Sequence, residues 1–284
     1  MFVSPYETIA CDTPRPHVAR ITLIREKQMN AYNWRMTQEL QAAIGIYRDD
    51  DDLRALMITG AGPRAFCTGG GQRAFCTGGD VSGTGGDSDH RRRVQTAPMG
   101  HGREMRDGMQ AVLALLRQID KPSVAMVRGF AVAGGLALAL ACDFRFAGPT
   151  ARMGDTSGRF GLLPDEGGAW LFPPAMGYDR ALRMTLLHEI YDAPRAHELG
   201  LVTELVELDG NLESLTLKFC DDLAAQAPLA VRTAKMMMRR AQQSTFEHSL
   251  EDAQLAVMVT NPSQDVREGG LAFREKRAPK FQGR

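Results

Sequence analysis

The sequence predicts an α/β fold built of strand–helix–strand units and finished by helices. Two stretches carry that reading. Val18 to Ile24 alternates apolar and polar residues as a half-buried strand does, Asn30 to Ile46 shows apolar residues at helical spacing behind Asn30 as a possible cap, and Leu53 to Thr59 is the next strand. Further on, Lys121 to Val127 reads as a buried strand that passes through Gly129-Phe130-Ala131-Val132-Ala133-Gly134-Gly135 into a run of Ala and Leu, a helix with no polar face.

Length and composition agree with this class and exclude others. A chain of 284 residues that is 44% hydrophobic and 24% charged can bury a large core as one domain, or as one domain plus a helical appendage. Lys plus Arg and Asp plus Glu each count 34, so no basic field recommends nucleic acid. The five cysteines, Cys11, Cys67, Cys76, Cys142 and Cys220, lack paired ligand spacing, which argues against a disulfide framework or a zinc site and suits a reducing compartment. No signal core and no uncharged stretch of membrane-spanning length stands out, so a cytoplasmic protein is expected.

The remaining elements follow in order. Arg25, Lys27 and Ala31 come just after the first strand, where the carboxyl edge of a sheet usually meets ligands. Asp49 to Asp52 is a solvated helix end. Arg64-Ala65-Phe66-Cys67-Thr68-Gly69-Gly70 then recurs unchanged as Arg73 to Gly79 after Gly71-Gln72, a short tandem duplication in a glycine-rich loop, where extra residues cost little closure entropy. Only one copy can fill the geometry of the fold, and the second, followed by Asp80-Val81, is the preferred one. Ser82 to Arg106 is polar and glycine-rich and reads as a surface loop, and Met109 to Ile119 as an amphipathic helix. Leu212 to Ala225 and Pro228 to Gln242 are helices, with Met236-Met237-Met238 expected as a core stripe beneath Arg239-Arg240. The boundary between core and helical region is placed at residue 205: residues 1–205 form the core and residues 206–284 the helical C-terminal region.

The glycine turn carries the chemistry. The first amides of a helix have no internal acceptors, and the helix dipole adds positive potential, so a turn before Leu136 can bind phosphate or a developing oxyanion. No Lys-Ser or Lys-Thr follows the glycines, and the dinucleotide-binding spacing is absent. Gly134 and Gly135 could instead serve only to let strand and helix pack closely.

The order of Arg-x-Lys-x-x-Asn-Ala (Arg25 to Ala31), Phe-Cys-Thr-Gly-Gly-Asp-Val (Phe75 to Val81), the Lys-Pro strand with Gly-Phe-Ala-Val-Ala-Gly-Gly, and Ala-Cys-Asp-Phe-Arg-Phe-Ala (Ala141 to Ala147) resembles the enoyl-CoA hydratase/isomerase family, the crotonases. The segment Gly154 to Gly168 and a Phe-x-Glu-Lys-Arg tail (Phe273 to Arg277) extend the resemblance over nearly the whole chain. It implies a crotonase-like spiral of ββα units with a helical C-terminal region that trimerises, as a trimer or a dimer of trimers, and an acyl-CoA substrate with no metal or redox cofactor. The family's two oxyanion amides fall on Gly134 and Gly79, or on Gly70 if the first copy fills the site. The expected substrate-binding set is Arg25, Lys27, Ala31, Ala74, Asp80, Lys276 and Arg277.

The departures are as informative as the matches. The two glutamates with which the family's hydratases deliver water correspond to Ala137 and Ser157, and neither can act as a carboxylate. Isomerase branches use one carboxylate just after a Gly-x-x-Pro, here Asp165 in Gly161-Leu162-Leu163-Pro164-Asp165-Glu166, with Glu166 beside it and Asp155 as a lesser candidate. The expected function is therefore a thioester-enolate enzyme, first an enoyl-CoA double-bond isomerase with Asp165 as its base. The alternatives are a hydratase with substituted groups and a non-catalytic CoA- or RNA-binding homologue.

Overall fold

The computed structural model describes residues 2, 5–69, 92 and 94–284. Strands β1 (Ile9–Arg15), β2 (Val18–Leu23), β3 (Ala55–Gly60), β5 (Ser123–Val127), β7 (Phe144–Ala147) and β10 (Glu204–Leu205) form one sheet in the order β1-β2-β3-β5-β7-β10. Strands β4 (Ala65–Cys67), β6 (Phe130–Val132), β8 (Arg152–Gly154) and β9 (Ile190–Asp192) form a second, in the order β4-β6-β8-β9. Pairing is parallel throughout except between β1 and β2 and between β8 and β9. Three times, at β3–β4, β5–β6 and β7–β8, the chain lays one strand in the first sheet and the next in the second; helices follow each pair, leading back to the first sheet after β4 and β6 and, after β8, to β9 of the second sheet before β10 returns to the first, so the repeating unit is ββα, as expected.

The first sheet is covered on both faces, and the strand residues sort accordingly. Every residue of β3 is buried. Leu56 and Ile58 join the larger core with Met36, Leu40, Ala43, Ile44 and Tyr47 of α1 (Trp34–Asp49). Ala55 and Met57 point the other way, into a second core with Leu212, Leu217, Cys220 and Ala224 of α8 (Asp209–Ala224). This period-two division explains why β3 and β5 read as unbroken apolar runs. The helix α4 (Gly134–Ala141) is buried along its whole length, which matches its lack of a polar face. It packs against α3 (Met109–Gln118), α5 (Gly168–Met176) and strands of both sheets.

The structure corrects the sequence reading in several places. The cap of α1 is Asn33, whose side chain accepts from the Met36 amide at 2.9 Å. Asn30 instead has a left-handed backbone (φ 54°) and donates to the Ala61 and Ala65 carbonyls, holding the turn after β3. The polar stretch read as a loop to Arg106 is helical at residues 94–96 and again from Gly100, as α2 (Gly100–Asp107). β1 was not anticipated. β4 is built from the first copy of the duplication: the short turn from β3 delivers Ala65–Cys67 directly to β6, where Ala65 and Cys67 pair with Phe130 and Ala131.

Helices α9 (Pro228–Ala241), α10 (Phe246–Thr260) and α11 (Gln264–Glu275) complete the chain, after α6 (Tyr178–Leu187) and α7 (Ala193–Glu198). Arg232 binds Asp120 at 2.7 Å and Lys235 binds Asp143 at 2.6 Å, tying α9 to the core. Met236 and Met238 are exposed in the single chain, so the expected core stripe is not formed within it. No helix among the described residues is long and apolar enough to cross a membrane.

Candidate active site

Gly134 opens α4, so its amide has no acceptor within the helix. The preceding residue, Ala133, takes φ 51° and ψ −125°, a backbone conformation that side chains rarely adopt, and its own amide donates to the Gly154 carbonyl at 3.1 Å. Strain of this kind, costing about 1–3 kcal/mol, persists where the surroundings over-determine it. Here those surroundings are β8 on one side and the end of β4 on the other: a Cβ at Gly69 would come 3.0 Å from the Gly134 nitrogen.

The two glycines do different work. A Cβ on Gly135 would lie 2.0 Å from the Cys67 carbonyl oxygen, so this residue lets α4 press its backbone against β4. A Cβ on Gly134 would instead lie 2.4 Å from Glu166 Oε1 and 2.9 Å from Tyr32 Cε1. Close packing accounts for Gly135, whereas Gly134 borders a carboxylate and a phenol.

Glu166 is therefore the carboxylate that lies against the glycine turn. Its side chain is only 3% exposed, and the Tyr32 hydroxyl donates to its Oε1 at 2.7 Å. Burial pushes its carboxyl up to about 7; the Tyr32 hydrogen bond opposes that rise and the neighbouring Asp165 carboxylate adds to it. Asp165, preferred from the sequence, is half-buried, and its backbone carbonyl accepts from Gln110 Nε2 at 2.7 Å. The phase of a non-repetitive turn is not written in its composition, and this turn swings Glu166 inward.

The two positions that the resemblance aligns with the hydratases' glutamates are both buried: Ala137 in α4, and Ser157 at the start of the short 3₁₀ helix Ser157–Phe160. Asp155, two residues before Ser157, is fully buried. Its Oδ1 accepts from the Ser157 amide at 3.0 Å and its Oδ2 has no hydrogen-bond partner among the described residues.

The loop after β2 supplies Tyr32. Arg25 Nη1 donates to the Ala31 carbonyl at 2.5 Å and the Asn30 amide donates to the Arg25 carbonyl, so Arg25 closes this loop; Lys27 is exposed on its outer turn. The Tyr32 amide donates to the Gly69 carbonyl at 2.9 Å, which joins the loop to the end of β4. Tyr32 was missed in the sequence; an aromatic residue directly after Asn30-Ala31 at a sheet's carboxyl edge was the available signal. Cys67 lies close by, with burial pushing its thiol up to about 12, so it stays protonated.

Other expected residues lie apart or outside the description. Gly70, Ala74, Gly79 and Asp80 fall outside the described residues. Lys276 caps α11 in a left-handed conformation. Arg277 is committed within the chain, binding Glu268 and Glu275, each at 2.6 Å. Among the described residues no cluster of three or more His, Cys, Asp or Glu is gathered as a metal ion would need.

The model of the enoyl-CoA hydratase/isomerase family matches residues 15–284. The chain belongs to that family. Its similarity extends to proteins of both named activities. It is 32% identical to the (E)-benzylidenesuccinyl-CoA hydratase of Thauera aromatica, covering 94% of this chain and 96% of the relative. It is 30% identical to the 1,2-epoxyphenylacetyl-CoA isomerase of Escherichia coli strain K12, covering 94% and 95%. The crystal structure of an enoyl-CoA hydratase from Bacillus anthracis, 28% identical, superposes with a TM-score of 0.86 over 98% of this chain and 100% of that one. The fold is the crotonase fold, and the family is one of enzymes.

Proposed function

We propose that this family member takes an acyl-CoA thioester, stabilises its enolate at the Gly134 amide, and moves a proton between carbons as a double-bond isomerase with Glu166 as its single carboxylate. The observation that supports this most is the seat of Glu166 against Gly134, in a chain whose hydratase positions are Ala137 and Ser157. In a 3-enoyl ester, Glu166 takes a proton from the α carbon, the electron pair spreads onto the thioester oxygen, and the protonated Glu166, open to exchange with solvent, gives a proton back at the γ carbon, leaving the 2-enoyl ester. Charge develops on the oxygen, where a preorganised amide is worth about 3 kcal/mol of barrier. A carboxyl poised near 7 suits a base that must also give the proton back. No metal or redox group enters this scheme.

For coenzyme A itself, exposed Lys27 and Lys276 are the cations offered to the phosphates, while Arg25 and Arg277 act by holding their loops. The exposed apolar residues Leu255, Met258 and Val259 of α10 suit a trimer or dimer of trimers. A second reading, hydration, is favoured by the hydratase among the relatives and by the unpartnered Oδ2 of Asp155 beside Ser157.

The test is to offer 3-hexenoyl-CoA and 2-hexenoyl-CoA in heavy water to the parent and to Glu166→Gln. Isomerisation and C–H exchange by the parent, both lost in the variant, are expected. A parent that hydrates the 2-enoyl ester but never isomerises the 3-enoyl ester belongs to the second reading.

A further inference from the structure

Nothing in the family pattern drew attention to Tyr32, yet its hydroxyl makes the 2.7 Å contact to Glu166 from a ring that also lies on Gly134. Both side chains are buried, at 9% and 3% exposure, and the hydrogen bond spans 134 residues of sequence. Burial and the Glu166 charge push the phenol of Tyr32 well above its ordinary value, so it remains a donor throughout the working pH range. Its backbone is anchored independently, by the 2.9 Å bond to the Gly69 carbonyl and by the Arg25-closed loop. A donor held at both ends against one oxygen of a carboxylate fixes the rotation of that carboxylate.

We infer that Tyr32 is the positioning residue for Glu166: its hydroxyl holds Oε1 over the glycine turn and makes Oε2 the oxygen that carries the proton. This rests on the reading of Glu166 as the proton carrier. The groups that face the carboxylate are Tyr32 from the loop after β2, Cys67 from β4 and Asp165 from its own turn, with Arg25 acting on Cys67. Cys67 stays neutral and Asp165 disfavours the ionised form, so Tyr32 is the neighbour among these that favours it. Removing the hydroxyl therefore has a signature that lost packing lacks: the carboxyl becomes harder to ionise.

Tyr32→Phe keeps the ring on Gly134 and removes only the donor; Tyr32→Met, unbranched and apolar, repeats the experiment without a ring. With 3-hexenoyl-CoA, kcat should fall about 10- to 100-fold at nearly unchanged KM, as a misaimed catalytic group produces. The acidic limb of the pH–kcat profile should move up by about one pH unit, the worth of one hydrogen bond to a charged group. Carbon-13 NMR of glutamate side chains gives the same answer without substrate, since the Glu166 signal is identified by its loss in Glu166→Gln and its midpoint should rise equally. Full activity in Glu166→Gln would remove the proton-carrier reading itself. An inactive Glu166→Gln beside a Tyr32→Phe with unshifted pH limb and unshifted carbon-13 midpoint would overturn the role of Tyr32 alone.

Discussion

Replacing Glu166 by Gln should make the protein more stable above neutrality while removing its turnover. In the unfolded chain this carboxyl titrates near 4.5, and in the folded protein burial holds it near 7. As pH rises between those values the unfolded chain releases a proton that the folded chain keeps, so folding loses about 1.4 kcal/mol per pH unit, or about 3 kcal/mol across the window. The stability is thus fully present below pH 4.5 and lost by the time pH passes 7. Gln has the same shape, carries no charge and still accepts from Tyr32, so the penalty disappears. At about 2 °C per kcal/mol for a domain of this size, the variant should melt about 6 °C above the parent at pH 8 and about level with it at pH 4.5. Thermal unfolding of both proteins from pH 4.5 to 8.5, at one protein concentration, isolates this group together with the neighbours it acts on, Asp165 and Tyr32, because titrations not coupled to Glu166 cancel in the difference. Turnover should fall 10²- to 10⁴-fold, the usual contribution of a general base. A difference in Tm that does not vary with pH would refute the buried, neutral-leaning Glu166 on which this reasoning stands.

Other outcomes follow from the glycine turn and the duplication. Gly135→Ala drives a methyl to within 2.0 Å of the Cys67 carbonyl and should cost about 3 kcal/mol or more in urea unfolding, whereas Gly134→Ala has the side chains of Glu166 and Tyr32 as its nearest neighbours and should fold but lose about 10²-fold in kcat. Equal stability losses in the two would contradict their separate roles. Ala133→Gly relieves a strained φ of 51° worth up to about 3 kcal/mol at an unfolded-state cost of about 0.4–1 kcal/mol, so a net gain of about 1 kcal/mol is expected in the same titration. Deleting residues 64–72 and deleting residues 71–79 give the same polypeptide, Pro63-Arg-Ala-Phe-Cys-Thr-Gly-Gly-Asp-Val, because the copies are identical. That single-copy chain should fold with β4 intact and bind 2-hexenoyl-CoA at least as tightly; loss of its circular-dichroism melting transition would show the second copy to be structural.

Fold class and family were legible in the residues because they rest on periodicity and ordered motifs. The apolar run of β3, the glycine turn and the unpolar face of α4 are each local, and each reads the same in the sequence and in the structure. That Ala137 and Ser157 stand where the resemblance puts the hydratases' two glutamates is likewise read from the residues without coordinates. Tertiary structure decided what depends on direction. Which of Asp165 and Glu166 turns inward is set by a non-repetitive turn, and Glu166 meets Gly134 and Tyr32 only because residues 134 positions apart are folded together. Which copy of the duplication becomes β4 follows from chain connectivity, as identical sequences carry no preference of their own. The two glycines, adjacent and alike in the sequence, differ because one faces the backbone of β4 and the other faces the carboxylate and phenol of the site.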